Sequence, residues 1–432
     1  MTDDNRQILL AYNLRSYGVS PRAWLADNPS GHELFTADYW SHVAQVAERG
    51  LFDAVFAGDS SQFLGFNRID VDGLDRFVAW ASTLSHTSRI GAIVTASTTY
   101  NDPYRLAERL LSLDHLSGGR ISWNLVTTFA PDSAANFGLA QHPPREQRYQ
   151  RAEEFADLVV RLWDSADDGP VVRQRSENFT VSGRLPLPRS PQRRPPIIRA
   201  SSSEEGRALA GRLASGVFDS ALTLAGGQQG YRKVKSDARA AGRAPEDLAY
   251  LPGLRIVLGS TEEEAKQRVD HLFGNDPLTR TEHETWFSAL LGTDISDLDP
   301  GEPIPSTLLA SAAASAAQER DAVRGSTLRF VAESPRARLH EQLRRTRYVS
   351  GGHATFVGGP EQLADRLEEW FRSYAADGFV IAPDLTLETL PILVDEVVPL
   401  LQRKGIYKRE YRSTTLAGHF RAASGRTAEV AA

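Results

Sequence analysis

Three consecutive serines next to an arginine are the clearest group in this sequence that could do chemistry. Ser201, Ser202 and Ser203 follow the apolar run 196–200, and the first two stand three residues before Glu204 and Glu205. Serine followed by glutamate at that spacing is typical of a helix start, whose free backbone N–H groups also bind phosphate. The run is therefore either a plain helix cap or an anion site. Arg199 beside it could neutralise a phosphate or pair with a surface acid.

A second group lies in the block 111–128. Leucines between positions 110 and 116 have helical spacing, and Gly118 and Gly119 are typical of a helix end. The apolar residues of 121–126 predict a short buried strand. Asn124, Thr127 and Thr128 then place polar groups near its carboxyl end, where barrels of parallel strands carry out their chemistry. Asn124 is either such a group or a satisfied core amide.

The elements that must position these groups alternate along the whole chain. Short apolar runs predict eight strands, separated by segments of helical periodicity: 8–14, 52–57, 90–94, 121–126, 196–200, 216–218, 248–258 and 378–381. Alternation of strand and helix indicates a parallel sheet, and eight units favour a closed (β/α)8 TIM barrel of the α/β class.

Two stretches depart from the alternation. Prolines and arginines crowd about 165–195, which predicts a surface excursion with a hairpin, and about 270–350 has weak periodicity, which predicts a helical insertion over the carboxyl-terminal face of the barrel. We therefore predict one domain over 1–432 with these two insertions and a C-terminal tail at 411–432. Long insertions at a barrel mouth often serve as lids.

Composition excludes several classes of function. The chain has no cysteine, which excludes disulfides, thiolate metal sites and cysteine nucleophiles. Its net charge of −6 gives no general attraction to nucleic acid or to an anionic membrane. The first residues lack the order of a signal peptide, and no stretch is long enough to span a bilayer, so we expect a cytoplasmic protein.

Several catalytic motifs are absent from the sequence. No two glycines are separated by one residue and no glycine precedes a lysine, which removes the dinucleotide fingerprint and the Walker A loop. No HExxH motif, histidine pair at helical metal spacing or GxSxG elbow occurs, so we predict no metal. The anion site at the serines is the chemistry that remains.

Longer motifs resemble those of the bacterial-luciferase-like flavin monooxygenases, in the branch of the nitrilotriacetate monooxygenase large component and dibenzothiophene-sulfone monooxygenase. The matching stretches are AERGLFDAVFAGD (47–59), PYRLAERLLSLDHLSGGRISWNLVTT (103–128), AANFG (134–138), RYQRAEEF (148–155), SSSEEGRALA (201–210) and FVGGPEQLADRLEEWF (356–371). They occur in the family's order over nearly the full length.

The resemblance implies an activity and a cofactor. It implies a TIM barrel that uses reduced FMN, delivered by a separate NAD(P)H-dependent flavin reductase, and O2 to oxidise a small organic substrate at a C–S, C–N or C–H bond. Carried over by position, the flavin contacts are Asp59, Thr95, Tyr149 and Ser203, with Ser203 on the phosphate and Asn124 beneath the flavin ring. Relatives also imply a homodimer or homotetramer.

Alternative roles remain open for these residues. Asp59 could cap a helix, Thr95 could be a strand-end core residue, and Tyr149 could be a surface residue. Other functions in keeping with the resemblance are a flavin-binding protein without turnover and a deazaflavin-dependent oxidoreductase, although the block 111–128 argues against the latter.

The sequence also departs from the family pattern. Arg145 replaces a usual histidine, and Arg199-Ala200-Ser201 replaces a usual glutamine-alanine-glycine. Both changes add positive charge where the FMN phosphate is expected. His353 lies where some relatives place an active-site histidine, and it has either that role or a structural one.

Overall fold

A computed structural model describes residues 5–20, 23, 32–59, 74–128, 130–200, 204–273, 277–319, 322–346 and 352–426. Eleven strands lie in these ranges: β1 Leu9–Asn13, β2 Ala54–Ala57, β3 Gly91–Ser97, β4 Ile121–Val126, β5 Val172–Arg175, β6 Thr180–Gly183, β7 Ile197–Ala200, β8 Gly216–Asp219, β9 Ala249–Leu258, β10 Ala354–Gly358 and β11 Gly378–Pro383.

Sixteen α-helices lie in the same described ranges: α1 Ala37–Arg49, α2 Arg76–Leu84, α3 Pro103–Ser117, α4 Ser133–Asn136, α5 Arg145–Asp164, α6 Glu204–Leu213, α7 Leu224–Ala240, α8 Glu262–Phe273, α9 Pro277–Leu291, α10 Ser306–Gln318, α11 Ala322–Ala332, α12 Leu339–Thr346, α13 Pro360–Arg372, α14 Thr386–Ile392, α15 Val398–Arg403 and α16 Leu416–Ala423. None of the described helices is both long enough and apolar enough to cross a membrane.

Eight parallel strands close into a barrel in the order β1-β2-β3-β4-β7-β8-β9-β11, with β11 returning to β1. The predicted (β/α)8 barrel is therefore confirmed, and its strands fall on the eight predicted apolar runs. A ninth parallel strand, β10, pairs with the second half of the long β9 from Leu254 to Leu258. Strands β5 and β6 form a separate antiparallel hairpin.

The helix α3 shows how local sequence sets the element bounds. Asp102 caps its start by accepting a hydrogen bond from the Arg105 backbone N–H at 2.9 Å, and Pro103 occupies the first turn. Gly118 ends the helix in the left-handed conformation at φ 70°, which glycine adopts without strain. Strand β4 starts three residues later, so this turn fixes where Asn124 stands.

The core has two parts, one outside and one inside the ring of strands. Outward side chains of the strands pack against the helices, with Trp123 and Phe155 among the buried residues. Inside the ring, apolar side chains form a second cluster that α16 joins through Leu416 and Ala423. Leu416 lies close to the backbone at Gly91, the first residue of β3, so α16 closes the amino-terminal end of the barrel.

The helices α9 to α12 form an extra helical segment between α8 and β10. They have a small apolar core of their own, which includes Phe287, Leu290 and Val331. The segment contacts the loop after β8, where the Thr223 hydroxyl donates to a carboxylate oxygen of Glu333 at 3.2 Å. Because β8 ends at the carboxyl-terminal mouth of the barrel, this contact ties the segment to that mouth.

Candidate active site

A chain of hydrogen bonds crosses three neighbouring strands at the carboxyl-terminal mouth. The Thr95 hydroxyl of β3 donates to the Ala57 carbonyl of β2 at 2.9 Å, and accepts from the Asn124 Nδ2 of β4 at 3.0 Å. Both side chains are buried, and the Asn124 Oδ1 has no hydrogen-bond partner. Asn124 is therefore held by its nitrogen while its oxygen stays available to a ligand.

Two aromatic rings lie across the barrel interior. Phe56 of β2 and Phe218 of β8 meet with ring centroids 5.7 Å apart. These strands are four apart in the ring of eight, so the pair spans the barrel interior and marks the bottom of the mouth. His353 stacks on Phe218 at 5.1 Å. The sequence predicted His353 near the site, but not that an aromatic pair supports it.

Glycine makes room for the His353 ring. A Cβ at Gly253 of β9 would lie only 2.5 Å from the His353 Nδ1, so a larger residue there would displace the imidazole. Burial, and then the nearby charge of Arg255, lower the pKa of His353 to about 4. The imidazole is therefore neutral at neutral pH, and its Nδ1 is buried without a hydrogen-bond partner.

Basic side chains surround Tyr149 beside the mouth. Arg145, one turn earlier on α5, places its guanidinium carbon 4.6 Å from the Tyr149 ring centroid, and the Arg199 guanidinium carbon of β7 lies 5.7 Å from the same centroid. Burial lowers the pKa of Arg199 to about 10, which still leaves it charged at neutral pH. The structure thus brings together two predicted cofactor residues and the arginine next to the serine run.

Two further residues, Asp59 and Ser203, were predicted to contact the flavin. Asp59 follows β2, and its side chain is exposed. Partial burial of its carboxyl nevertheless raises its pKa, and the nearby charge of Arg76 lowers the pKa in part. The described helix that follows, α2, is capped by Asp75. Ser203 lies outside the described residues, so its predicted contact with a phosphate stays a prediction.

Sequence reasoning missed a strained turn at the mouth. Thr128, just after β4, has a positive φ of 43°, which is rare outside glycine. Arg148 of α5 holds this turn by donating to the carbonyls of Thr127 and Thr128, at 2.9 and 2.5 Å. The Thr128 hydroxyl also donates to the Ser97 hydroxyl at 2.7 Å. Arg148 stands in the quoted motif RYQRAEEF, but no spacing rule points to these contacts.

A stack of rings on the loops after β3 and β4 was also missed. Tyr100 lies parallel to Phe137 with centroids 4.3 Å apart, and its hydroxyl is 2.6 Å from the His142 Nδ1. Phe137 belongs to the motif AANFG, which was the available signal.

Comparison with known proteins identifies the family. The model of the luciferase-like monooxygenase family matches residues 19–377. The chain belongs to the luciferase-like monooxygenases. N-acetyl-S-(2-succino)cysteine monooxygenase of Bacillus subtilis (strain 168) is 34% identical, over 97% of this chain and 98% of that protein. Nitrilotriacetate monooxygenase component A of Aminobacter aminovorans is also 34% identical, over 96% of each chain.

A solved structure agrees with this membership. EDTA monooxygenase from Chelativorans sp. BNC1 superposes with a TM-score of 0.80 at 29% identity, covering 98% of this chain and 99% of that one. The resemblance read from the motifs is therefore confirmed at the level of the family and of its nitrilotriacetate branch. In TIM-barrel enzymes generally, the active site lies at the carboxyl-terminal mouth of the barrel.

A large cavity of this luciferase-like monooxygenase lies at the opposite end of the barrel. It has a volume of about 1540 Å³ and is lined by residues at the amino-terminal ends of the strands, such as Leu9, Ser215 and Ala249. Arginines dominate its wall. Because β1, β8 and β9 start there, this cavity is separated from Asn124 and Thr95 by the packed interior of the barrel.

Proposed function

We propose that this protein is the oxygenase component of a two-component monooxygenase, which uses reduced FMN from a separate NAD(P)H-dependent flavin reductase and O2 to oxidise a small organic substrate. The observation that carries the proposal is the Asn124 Oδ1, buried at the mouth without a partner. A polar atom in that state costs about 1–3 kcal/mol, which a bound ligand offsets by donating to it. A flavin ring offers such N–H donors.

The predicted contact residues would hold the cofactor at both ends. Asn124 and Thr95 would hold the flavin ring, and Tyr149, Arg145 and Ser203 would hold its phosphate. Reduced FMN, when bound, supplies the electrons that activate O2. The protein supplies binding, orientation and exclusion of water, for which the neutral His353 and the rings of Phe56 and Phe218 provide an apolar surround.

Arg255 favours an anionic substrate. Along β9 the alternate residues Ala249 and Leu251 face the barrel interior, so Arg255 faces inward at the mouth as well. Its charge contributes to the lowered pKa of His353, which places the two side chains near each other. We propose that Arg255 pairs with a carboxylate of the substrate. The relatives named for nitrilotriacetate and EDTA act on molecules that carry carboxylates.

The helical segment α9 to α12 is the proposed lid over this site. Its contact between Glu333 and Thr223 is a single hydrogen bond at an exposed position, which can open without loss of core packing. We also propose a homodimer or homotetramer in the cytoplasm, in keeping with the resemblance.

Oxygen consumption with a coupled reductase tests the proposed function. The protein is mixed with FMN, NADH and a generic flavin reductase, and offered amines and thioethers as pairs with and without a carboxylate. We expect oxidised product in proportion to O2 consumed, with the carboxylate members preferred. Failure to bind FMN, or release of hydrogen peroxide without product from any substrate, would contradict the proposal. An Arg255→Met variant that keeps the preference would contradict the role of Arg255 alone.

A further inference from the structure

The last residue of β1 places a buried polar atom at the mouth of the barrel. Leu9 and Ala11 of this strand face the barrel interior, and side chains alternate along a strand, so Asn13 faces the interior as well. Its Oδ1 is buried and has no hydrogen-bond partner in the part of the chain that the structure describes. A leucine would continue the apolar pattern without leaving an acceptor unpaired. The amide therefore destabilises the fold unless a ligand donates to it.

The register of the strands places Asn13 in a row of interior residues. On one side Asn13 lies opposite Phe56 of β2. On the other side β1 pairs with β11, and the same register continued by one residue brings Ala382 beside Asn13. Ala382 in turn lies opposite Arg255 of β9. Neighbouring strands are about 4.8 Å apart, so the backbones of Asn13 and Arg255 are separated by about 10 Å across β11.

The residue between the two polar members of this row is small. Ala382 has only a methyl group as its side chain, so it reaches little of the space between Asn13 and Arg255. Phe56, the apolar member, contacts the ring of Phe218 across the barrel, with the centroids 5.7 Å apart. An acceptor and a cation therefore stand on either side of a short gap, which a small molecule can bridge.

The charges in this row decide which kind of donor suits Asn13. None of the four residues is acidic, and Arg255 carries a positive charge. A cationic ammonium group would therefore be repelled, whereas a neutral N–H group would not. A secondary amide presents such an N–H within a few bonds of a carboxylate, the group that Arg255 is proposed to bind. An unpaired acceptor also rejects the corresponding ester, because the ester oxygen has no hydrogen to donate.

We propose that Asn13 is a substrate-binding residue that accepts a hydrogen bond from the N–H of a secondary amide, and that it selects amides bearing a carboxylate, such as acylated amino acids. The inference rests on the proposed function, because it takes the mouth to be the substrate site and Arg255 to bind the carboxylate. Asn13 acts on the choice of substrate and does not hold FMN, which Asn124 and Thr95 are proposed to do.

A pair of probes that differ only in the N–H group measures this selection. N-acetylmethionine carries a thioether, a carboxylate and a secondary amide, and 2-acetoxy-4-(methylthio)butanoate has an ester oxygen in place of the N–H. Isothermal titration calorimetry gives the affinity of each probe for the protein loaded with oxidised FMN and for the protein without flavin. We expect the wild type to bind the amide about tenfold more tightly, which is the value of one hydrogen bond to a buried acceptor.

Three variants test whether the preference comes from the Asn13 acceptor. Asn13→Leu should bind both probes equally, without a lower Tm or FMN affinity, because it also removes the unpaired atom. Asn13→Asp keeps an acceptor in place and should keep the preference, while it binds both probes more weakly because its charge competes for Arg255. The control Asn178→Leu makes the same change between β5 and β6, where the Nδ2 donates to Glu154 at 2.9 Å, and should keep the preference. If Asn13→Leu does not fold, Asn13→Ala replaces it with the same expectation.

The outcomes separate the two proposals. Equal affinities of the wild type for the two probes, no binding of either probe, or a preference that persists in Asn13→Leu would overturn the inference and leave the proposed function standing. Weaker FMN binding by Asn13→Leu would place the residue at the flavin and would also overturn the inference. Failure of the wild type to bind FMN would overturn the proposed function, and the probe affinities measured without flavin would still decide the role of Asn13.

Discussion

Buried polar groups at the two ends of the barrel differ in whether they have hydrogen-bond partners. At the amino-terminal end, Asp53 accepts from the Lys408 Nζ at 2.7 Å and from the Leu10 backbone N–H at 2.9 Å. At the carboxyl-terminal mouth, Asn124 and His353 each keep a buried atom without a partner. Complete pairing stabilises a fold, whereas an unused donor or acceptor costs stability until a ligand meets it. The contrast assigns stability to one end and binding to the other.

The volume of the large cavity points to a different end of the barrel than the unpaired polar atoms do. The cavity of about 1540 Å³ at the amino-terminal end contains many cations, but several already have partners. Arg243 donates to the carbonyls of Gly211 and Ala214, and Lys235 pairs with Asp377 at 2.7 Å. The hydrogen-bond and ion-pair partners of each buried atom therefore help to distinguish a binding site from a space between packed elements.

The largest expected effect is at the amino-terminal end. Asp53→Asn leaves the buried Lys408 without its counter-charge, since their charged atoms lie 2.7 Å apart. We expect the free energy of unfolding to fall by about 3–5 kcal/mol, measured by urea denaturation, with FMN affinity unchanged where the protein is folded. The double variant Asp53→Asn, Lys408→Met should recover much of the loss. A variant as stable as the wild type would contradict the contrast.

A smaller effect is expected from His353 at the mouth. Its pKa of about 4 lies below the usual 6.5, so between these values the unfolded chain takes up a proton that the folded chain does not. Stability contributed by the neutral ring is therefore full above pH 6.5 and declines by about 3 kcal/mol as the pH falls toward 4. His353→Gln should remove this decline in pH-dependent urea titrations, whereas His271→Gln at an exposed position should not. Equal slopes for both variants would count against a buried neutral imidazole.

Asn124 is expected to affect binding more than stability. Asn124→Leu removes the bond to Thr95 but also removes the unpaired Oδ1, so the free energy of unfolding should change by less than about 1 kcal/mol. FMN affinity should fall roughly tenfold, the value of one hydrogen bond in a closed site. Ser122→Ala, two residues deeper on β4, is the control and should leave FMN affinity unchanged. A loss of stability without a loss of affinity would make Asn124 a structural amide.

The smallest effects are expected in the large cavity. Arg232 and Arg239 of α7 line it from exposed positions. Arg232→Ser and Arg239→Ser should change the free energy of unfolding by no more than about 0.5 kcal/mol and should not alter FMN affinity. Weaker FMN binding in either variant would indicate that the flavin binds at the amino-terminal end, which would contradict the proposed site at the mouth.

Much of the fold could be predicted because a strand that is buried on both faces has a recognisable apolar sequence. Strands such as β3 and β4 read as continuous apolar runs, and Gly118 marks the end of α3. Strand β10, in contrast, has a mixed burial pattern and follows a long insertion, so its five residues lie in none of the eight predicted strands. The sequence pattern predicts elements that are uniformly buried. It fails for a strand such as β10, which pairs with the edge of β9 and is only partly buried.

The candidate site was predictable only in part. Thr95 and Asn124 stand at strand ends, and parallel register brings them opposite each other. The hydrogen bonds from Arg148 to the carbonyls of Thr127 and Thr128 join residues about twenty positions apart, and no local sequence pattern predicts them.

The closing helix α16 has a consequence for the order of folding. Leu9 and Ala11 on the first strand share their apolar cluster with Leu416 and Ala423, about four hundred positions later in the chain. During synthesis these early side chains must wait, exposed or transiently covered, until nearly the whole protein has left the ribosome. Contacts this distant in sequence carry a large loop-closure cost and slow the final step of folding. Substitutions in α16 are therefore expected to increase the dependence on chaperones in the cell more than substitutions at the mouth of the barrel.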